Sequence, residues 1–265
     1  MKGLILKVLL LLFFTQSFVY GGSLVNDFRR DIPAMWRCWS LRYTGTQETT
    51  QESPFTLEGE APIILVHGYL NTNTGWIDFR KALEKEKLGP IYAPTLHSSS
   101  QDIRRSAIEI AQLVEEVREQ NDGKPVILIG HSMGGIICAY CTQHIAPRGS
   151  VKAVFTLASP LRGTKTATLG FGRAGSQMRC DSRFLKSLNA QLTYQPKAAY
   201  FCLGSRSDQV VRPCRNSFYK EPDDEIHFHL YTDIGHQSFL FSEDVMRDVI
   251  SMIHTLDDAG SGNHP

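Results

Sequence analysis

Residues 126–135 read Val-Ile-Leu-Ile-Gly-His-Ser-Met-Gly-Gly, an apolar β-branched run that stops at a serine framed by glycines and meets no proline before Pro147. The run follows Lys124-Pro125 and suits a strand buried on both faces. Ile136, Ile137, Ala139 and Tyr140 suit a packed helix. Ser132 therefore falls on a sharp strand-to-helix turn, where Gly130 and Gly134 let the two elements approach. A serine hydroxyl is a poor nucleophile at neutral pH, and such an elbow exposes its oxygen to a neighbouring base.

The surrounding pattern supplies the frame that an elbow needs. Residues 62–66 and 89–92 read as strands on either side of a helix over 74–86, with Trp76, Phe79 and Leu83 turned inward. A helix over 100–120 starts at Ser100-Gln101-Asp102 and buries Ile103, Ala107, Ile110, Val114 and Val117. Strands are expected at 151–158, 198–204 and 225–232, and a last helix at 242–256, with Val245, Met246, Val249, Ile250 and Ile253 inward. Strands separated by crossover helices predict an α/β fold, a mostly parallel sheet with helices on both faces. Residues 160–197, rich in Gly, Thr, Ser and Arg with one helical stretch at 184–188, read as a small cap insert.

The 265 residues, 42% hydrophobic and 21% charged, suffice for one large core, so a single catalytic domain over 61–256 acting as a monomer is expected. A formal charge of +1 offers no reason to expect a nucleic-acid partner. Residues 1–21, with Lys2 and Lys7 ahead of an uncharged stretch and small residues near Gly21, predict a cleaved signal peptide and export. Residues 22–60 form an extension in which Phe28, Ile32, Trp36 and Trp39 suggest one apolar face. It is expected to pack on the domain rather than lie on a membrane, and Pro33 argues against a helix. Residues 257–265 read as a disordered tail.

Export permits disulfides among Cys38, Cys138, Cys141, Cys180, Cys202 and Cys214. Cys138, Cys141 and Cys202 lie in apolar segments and read as small buried hydrophobes. Cys138 and Cys141 are not accompanied by a second cysteine or histidine pair at ligand spacing, so no metal is expected.

Ser132 needs a base and an acid to orient it. Asp208 follows a strand end, where a parallel sheet displays its functional loops. His236 follows the next strand in Thr-Asp-Ile-Gly-His-Gln. The order Ser, Asp, His is that of a nucleophile-elbow enzyme. His227 and His229 alternate with apolar residues inside a strand and should face elsewhere, while His67 and His131 precede the positions where the base belongs. Two backbone N–H groups are needed for the oxyanion: that of Met133, right after the serine, and that of Tyr69, after the turn His67-Gly68.

Together, His67-Gly68-Tyr69, Gly130-His131-Ser132-Met133-Gly134-Gly135, Ser159-Pro160-Leu161-Arg162-Gly163-Thr164, Asp208-Gln209-Val210-Val211 and Gly235-His236 resemble the α/β-hydrolase fold, and within it secreted bacterial lipases and esterases. Gln177-Met178 with Ser182, Phe184, Leu185, Leu188 and Asn189 extends the likeness. The resemblance implies hydrolysis of small-molecule or lipid esters by Ser132, Asp208 and His236 without a cofactor, with transient contact with a lipid surface. It also implies a Cys180–Cys214 bridge. An acyltransferase or acyl thioesterase would use the same three residues, although Met133 stands where thioesterases of this kind carry Gln. A non-catalytic binding module would more often have lost one of the three. Leu161 replaces a commonly polar residue, and the insert is small for a mobile lid.

Overall fold

The computed structural model describes residues 22–44, 61–97, 101–170, 172–224 and 227–261. The expected signal peptide, all of 45–60, the first residues of the helix expected from 100 and of the strand expected from 225, and the last four residues lie outside them. The elements run α1 (Gly22–Thr44), β1 (Ile63–Val66), α2 (Ile77–Lys85), β2 (Ile91–Tyr92), α3 (Ile103–Gln120), β3 (Val126–His131), α4 (Met133–Tyr140), β4 (Val151–Leu157), α5 (Gly172–Gln177), α6 (Arg183–Tyr194), β5 (Ala199–Ser205), β6 (Phe228–Tyr231) and α7 (Glu243–Ser261).

The six strands form one sheet in the order β2-β1-β3-β4-β5-β6, and every pairing is parallel. All residues of β1 and β3 are buried, which is why these strands read as unbroken apolar runs. Successive side chains go to opposite faces. Ile64, Val66, Leu128, Val154 and Cys202 join one core with α3 and α4, whereas Ile63, Leu65, Ile127, Ile129, Phe155 and Leu203 join another with α2 and α7. The inward stripe expected for α3 is the buried one, and Asp102 caps that helix by accepting from Arg104 N–H at 3.0 Å.

From β1 the chain moves outward to β2, then returns to place β3 on the other side of β1. The strand order reverses between β1 and β3. In an open parallel sheet, ligands bind at the carboxyl ends of the strands flanking such a reversal. The turn His67-Gly68-Tyr69 leaves β1 there, and Ser132 leaves β3.

Two terminal expectations are corrected. Residues 22–44 form a helix that runs through Pro33, and its buried positions are Asp31, Ala34 and Cys38, while Ile32 and Trp36 are exposed. An interior proline costs a helix about 3 kcal/mol. Pro33 is itself exposed, so water can reach the carbonyl its ring leaves without a donor, and contacts along the buried side offset that cost. At the other end α7 continues to Ser261, so residues 257–261 are helical rather than part of a tail. Once nucleated, a helix extends cheaply where no proline intervenes.

The cap is more helical than expected, with a 3-10 turn at Lys165–Leu169, then α5 and a full-length α6. Leu161, Ala174, Met178, Leu185, Leu188 and Leu192 enter the same core as Met133, Ile136 and Ile137. Gln177 ties it further: its Oε1 accepts from Ile103 N–H at 2.9 Å and its Nε2–H donates to Asp102 Oδ1 at 2.7 Å.

Candidate active site

Ser132 is the residue between β3 and α4, with φ 56° and ψ −124°. A non-glycine residue there is strained by about 1–3 kcal/mol. Backbone crowding holds it in place. A Cβ on Gly130 would stand 2.4 Å from the Gly134 carbonyl carbon, and one on Gly134 would stand 2.1 Å from Val66 O. Glycine at both positions is therefore what lets β1, β3 and α4 meet. The Ser132 N–H donates to Leu157 O at 2.8 Å, which fixes the elbow to the end of β4.

Asp208 and His236 come to this point from the ends of β5 and β6. His236 Nδ1–H donates to Asp208 Oδ2 at 2.9 Å, and His236 Nε2 lies 3.0 Å from Ser132 Oγ, placed to accept its proton. Asp208 Oδ1 accepts from Val210 N–H at 2.7 Å and Val211 N–H at 2.8 Å. Burial works against the Asp208 charge, but the charge and hydrogen bond of His236, with the two N–H donors, hold its carboxyl below the ordinary range. Burial likewise opposes a charged His236. The charge and hydrogen bond of Asp208, with a smaller contribution from Asp31, outweigh it and hold the imidazole above its ordinary value.

The two histidines set aside from the sequence prove to be braces. Burial pushes His131 down to about 3 and His67 down to about 4, so both are neutral at pH 7. His131 Nε2–H donates to the His236 carbonyl at 2.9 Å, with the rings 4.9 Å apart. His67 Nδ1–H donates to Gly68 O and its Nε2 accepts from Leu96 N–H, both at 2.9 Å. His227 stacks on Phe201 and His229 faces Asp248 of α7, on the side of the sheet away from α4.

The turn after β1 lies against the serine, since a Cβ on Gly68 would stand 2.9 Å from Ser132 Cβ. Tyr69 is the next residue, and Met133 opens α4, where the first N–H groups lack an intrahelical acceptor.

Cys38, Cys138, Cys141 and Cys202 are buried, as expected for the latter three. Cys180 and Cys214 are separate thiols rather than a bridge. Cys180 Sγ instead lies 3.7 Å from Asn216 Nδ2, a side chain anchored by donating to Gly163 O at 2.8 Å. Among the described residues no group of three or more His, Cys, Asp or Glu is placed to hold a metal ion.

Sequence reasoning missed two residues behind the site, Asp31 and Gln209. Gln209 Oε1 accepts from His236 N–H at 3.2 Å, and Gln209 Nε2–H donates to Asp31 Oδ2 at 2.5 Å. The adjacency of Gln209 to Asp208 was a usable signal. Asp31 offered none, being one acid among several polar residues of the extension.

Similarity to known proteins follows the same outline. The chain is 39% identical over 59 residues to "Lecithin-cholesterol acyltransferase-like 1" of Arabidopsis thaliana, covering 21% of this chain and 14% of that protein. It is 30% identical over 100 residues to a Mycoplasma pneumoniae protein whose name proposes an esterase or lipase, covering 37% of this chain and 36% of the relative. The matched stretches thus span only 14% and 36% of the two relatives' own lengths. In structure it resembles the mature form of Bacillus licheniformis lipase BlEst2, with a TM-score of 0.65 at 19% identity over 77% of this chain and 96% of that one. Residues 63–259, from β1 into α7, match the family model described as "Alpha/beta hydrolase family", and the chain belongs to that family.

Proposed function

We propose that this protein is a serine hydrolase of carboxylic esters, lipid acyl esters among them. The observation that carries the reading is the run of hydrogen bonds Ser132–His236–Asp208, at 3.0 Å and 2.9 Å, at the carboxyl ends of β3, β5 and β6. In the proposed mechanism His236 Nε2 takes the Ser132 proton as Oγ attacks the ester carbonyl, and Asp208 stabilises the imidazolium and its tautomer. The N–H groups of Met133 and Tyr69 receive the oxyanion. His236 then protonates the leaving alcohol, and an attacking water, deprotonated by the same nitrogen, releases the acid from Ser132.

Rates on nitrophenyl esters with acyl chains of two to sixteen carbons test this reading beside Ser132→Ala. Hydrolysis that disappears in the variant supports it, and hydrolysis that survives unchanged sinks it. A rate maximum at long chains marks a lipase and one at short chains an esterase.

The likeness to the acyltransferase-like relative favours one second reading, transfer of the acyl group from Ser132 to an acceptor alcohol. Product analysis with added alcohol separates the two: a new ester formed ahead of free acid means transfer. Export is part of the proposal as well, carried by residues 1–21, and N-terminal sequencing of exported protein beginning just beyond Gly21 supports it.

A further inference from the structure

Asp31 lies on α1, outside the residues that match the family, and its side chain is fully buried. A buried carboxylate is costly unless its oxygens are hydrogen-bonded. Oδ1 accepts from Ser238 N–H at 2.8 Å and Ser238 Oγ–H at 2.6 Å, while Oδ2 accepts from Gln237 N–H at 2.9 Å and Gln209 Nε2–H at 2.5 Å. These donors belong to the residue after Asp208 and the two residues after His236. One carboxylate therefore joins loops that leave two different strands, and Gln209 closes the link by accepting from His236 N–H. Gly235 makes room for it, since a Cβ there would stand 2.5 Å from Asp31 Oδ1. On either side α1 is fastened by Asp27 to Arg212 at 2.8 Å and by Arg37 to Asp78 at 2.7 Å.

We propose that Asp31 is a positioning residue for ester hydrolysis: its carboxylate sets the loops carrying Asp208 and His236 against each other so that the imidazole stays on Ser132. This rests on the function proposed above. Asp31 reaches backbone N–H, amide and hydroxyl groups behind the imidazole, not the reacting atoms. The groups facing His236 are Asp208 from the loop after β5, His131 and Ser132 from the end of β3, and Asp31 from α1. Burial lowers the tendency of His236 to take a proton, and the negative charges of Asp208 and Asp31 raise it. Neutralising Asp31 therefore moves the protonation of His236 to lower pH as well as loosening its loop.

The test uses the full chain with Asp31→Asn and Gln209→Met, beside Ser132→Ala and the core variant Val249→Ala as a matched loss of stability. Asp31→Asn is expected to lower kcat about 10 to 100 fold with little change in KM, as small misplacements of catalytic groups do. It should also shift the acidic limb of kcat/KM to lower pH. Gln209→Met is expected to lower kcat while the limb stays in place, because the Asp31 charge remains. It carries the test alone if Asp31→Asn does not fold. A kcat within twofold of the parent in whichever of the two folds overturns the proposal. So does a loss in Asp31→Asn that Val249→Ala reproduces at equal Tm without any shift of the limb. Activity that survives Ser132→Ala sinks the triad reading and this proposal together, whereas activity lost there but kept in Asp31→Asn sinks the proposal alone.

Discussion

Helices α4 and α1 both contact the candidate active site, one at its first turn and one from its middle, and they do so by opposite means. At the start of α4 the backbone does the work: Ser132 sits at φ 56° because Gly130 and Gly134 let three elements pack with no room for a Cβ. At α1 one side chain does it, Asp31, through four hydrogen bonds to segments 178 and more positions away in the chain. Backbone crowding leaves a local signature, glycine at fixed spacing. A buried carboxylate leaves none, because its donors are backbone, amide and hydroxyl groups that any sequence could offer.

The comparison can be broken at each of its parts. Beyond Ser132 and His236 themselves, the largest effect on rate is expected at Asp208→Asn, which should lower kcat about 10⁴ fold by leaving His236 in the wrong tautomer. A loss under tenfold would mean that the acid lies elsewhere, with the exposed Asp233 the next candidate. On stability the largest effect belongs to the elbow. Gly134→Ala would set a methyl 2.1 Å from Val66 O, and thermal unfolding should show a loss of several kcal/mol or no folded protein. A Tm within a few degrees of the parent would show that α4 can back away from β1.

The pH dependence comes next. His236 must be neutral to accept the Ser132 proton, and its imidazole is held above its ordinary 6.5. The rate kcat/KM should therefore fall as pH drops through a midpoint above 6.5, and a midpoint at or below that value would contradict the Asp208 contact. The smallest effect is expected on the outer face of α1, where Trp36 is 66% exposed. Trp36→Ala should change stability by no more than about 0.5 kcal/mol and leave hydrolysis of a soluble ester unchanged. A larger loss would show that α1 works through more than its inner face.

How much the sequence disclosed follows from the same contrast. The apolar run over 126–129, the mostly apolar 151–157 and the three-and-four spacing of Ile103, Ala107, Ile110, Val114 and Val117 made the sheet and its helices legible, because burial on both faces of a strand and on one face of a helix imposes those patterns. Ser132, Asp208 and His236 were legible because each follows a strand end in the expected order. The extension misled because its large apolar residues, Ile32 and Trp36, drew attention while the inward positions hold Asp31, Ala34 and Cys38. Pro33 misled as well, since its cost is set by solvent access as much as by position. Residues 160–197 were illegible beyond one helical stretch, because short helices interrupted by Gly170 and Gly172 give too few turns for a period to emerge.

Labelling with a fluorophosphonate, followed by intact mass and peptide mapping, asks whether Ser132 is a nucleophile activated by His236. One adduct is expected, on Ser132, absent in Ser132→Ala and strongly slowed in His236→Ala. Failure of the parent protein to label, or an adduct on any other residue, would contradict it.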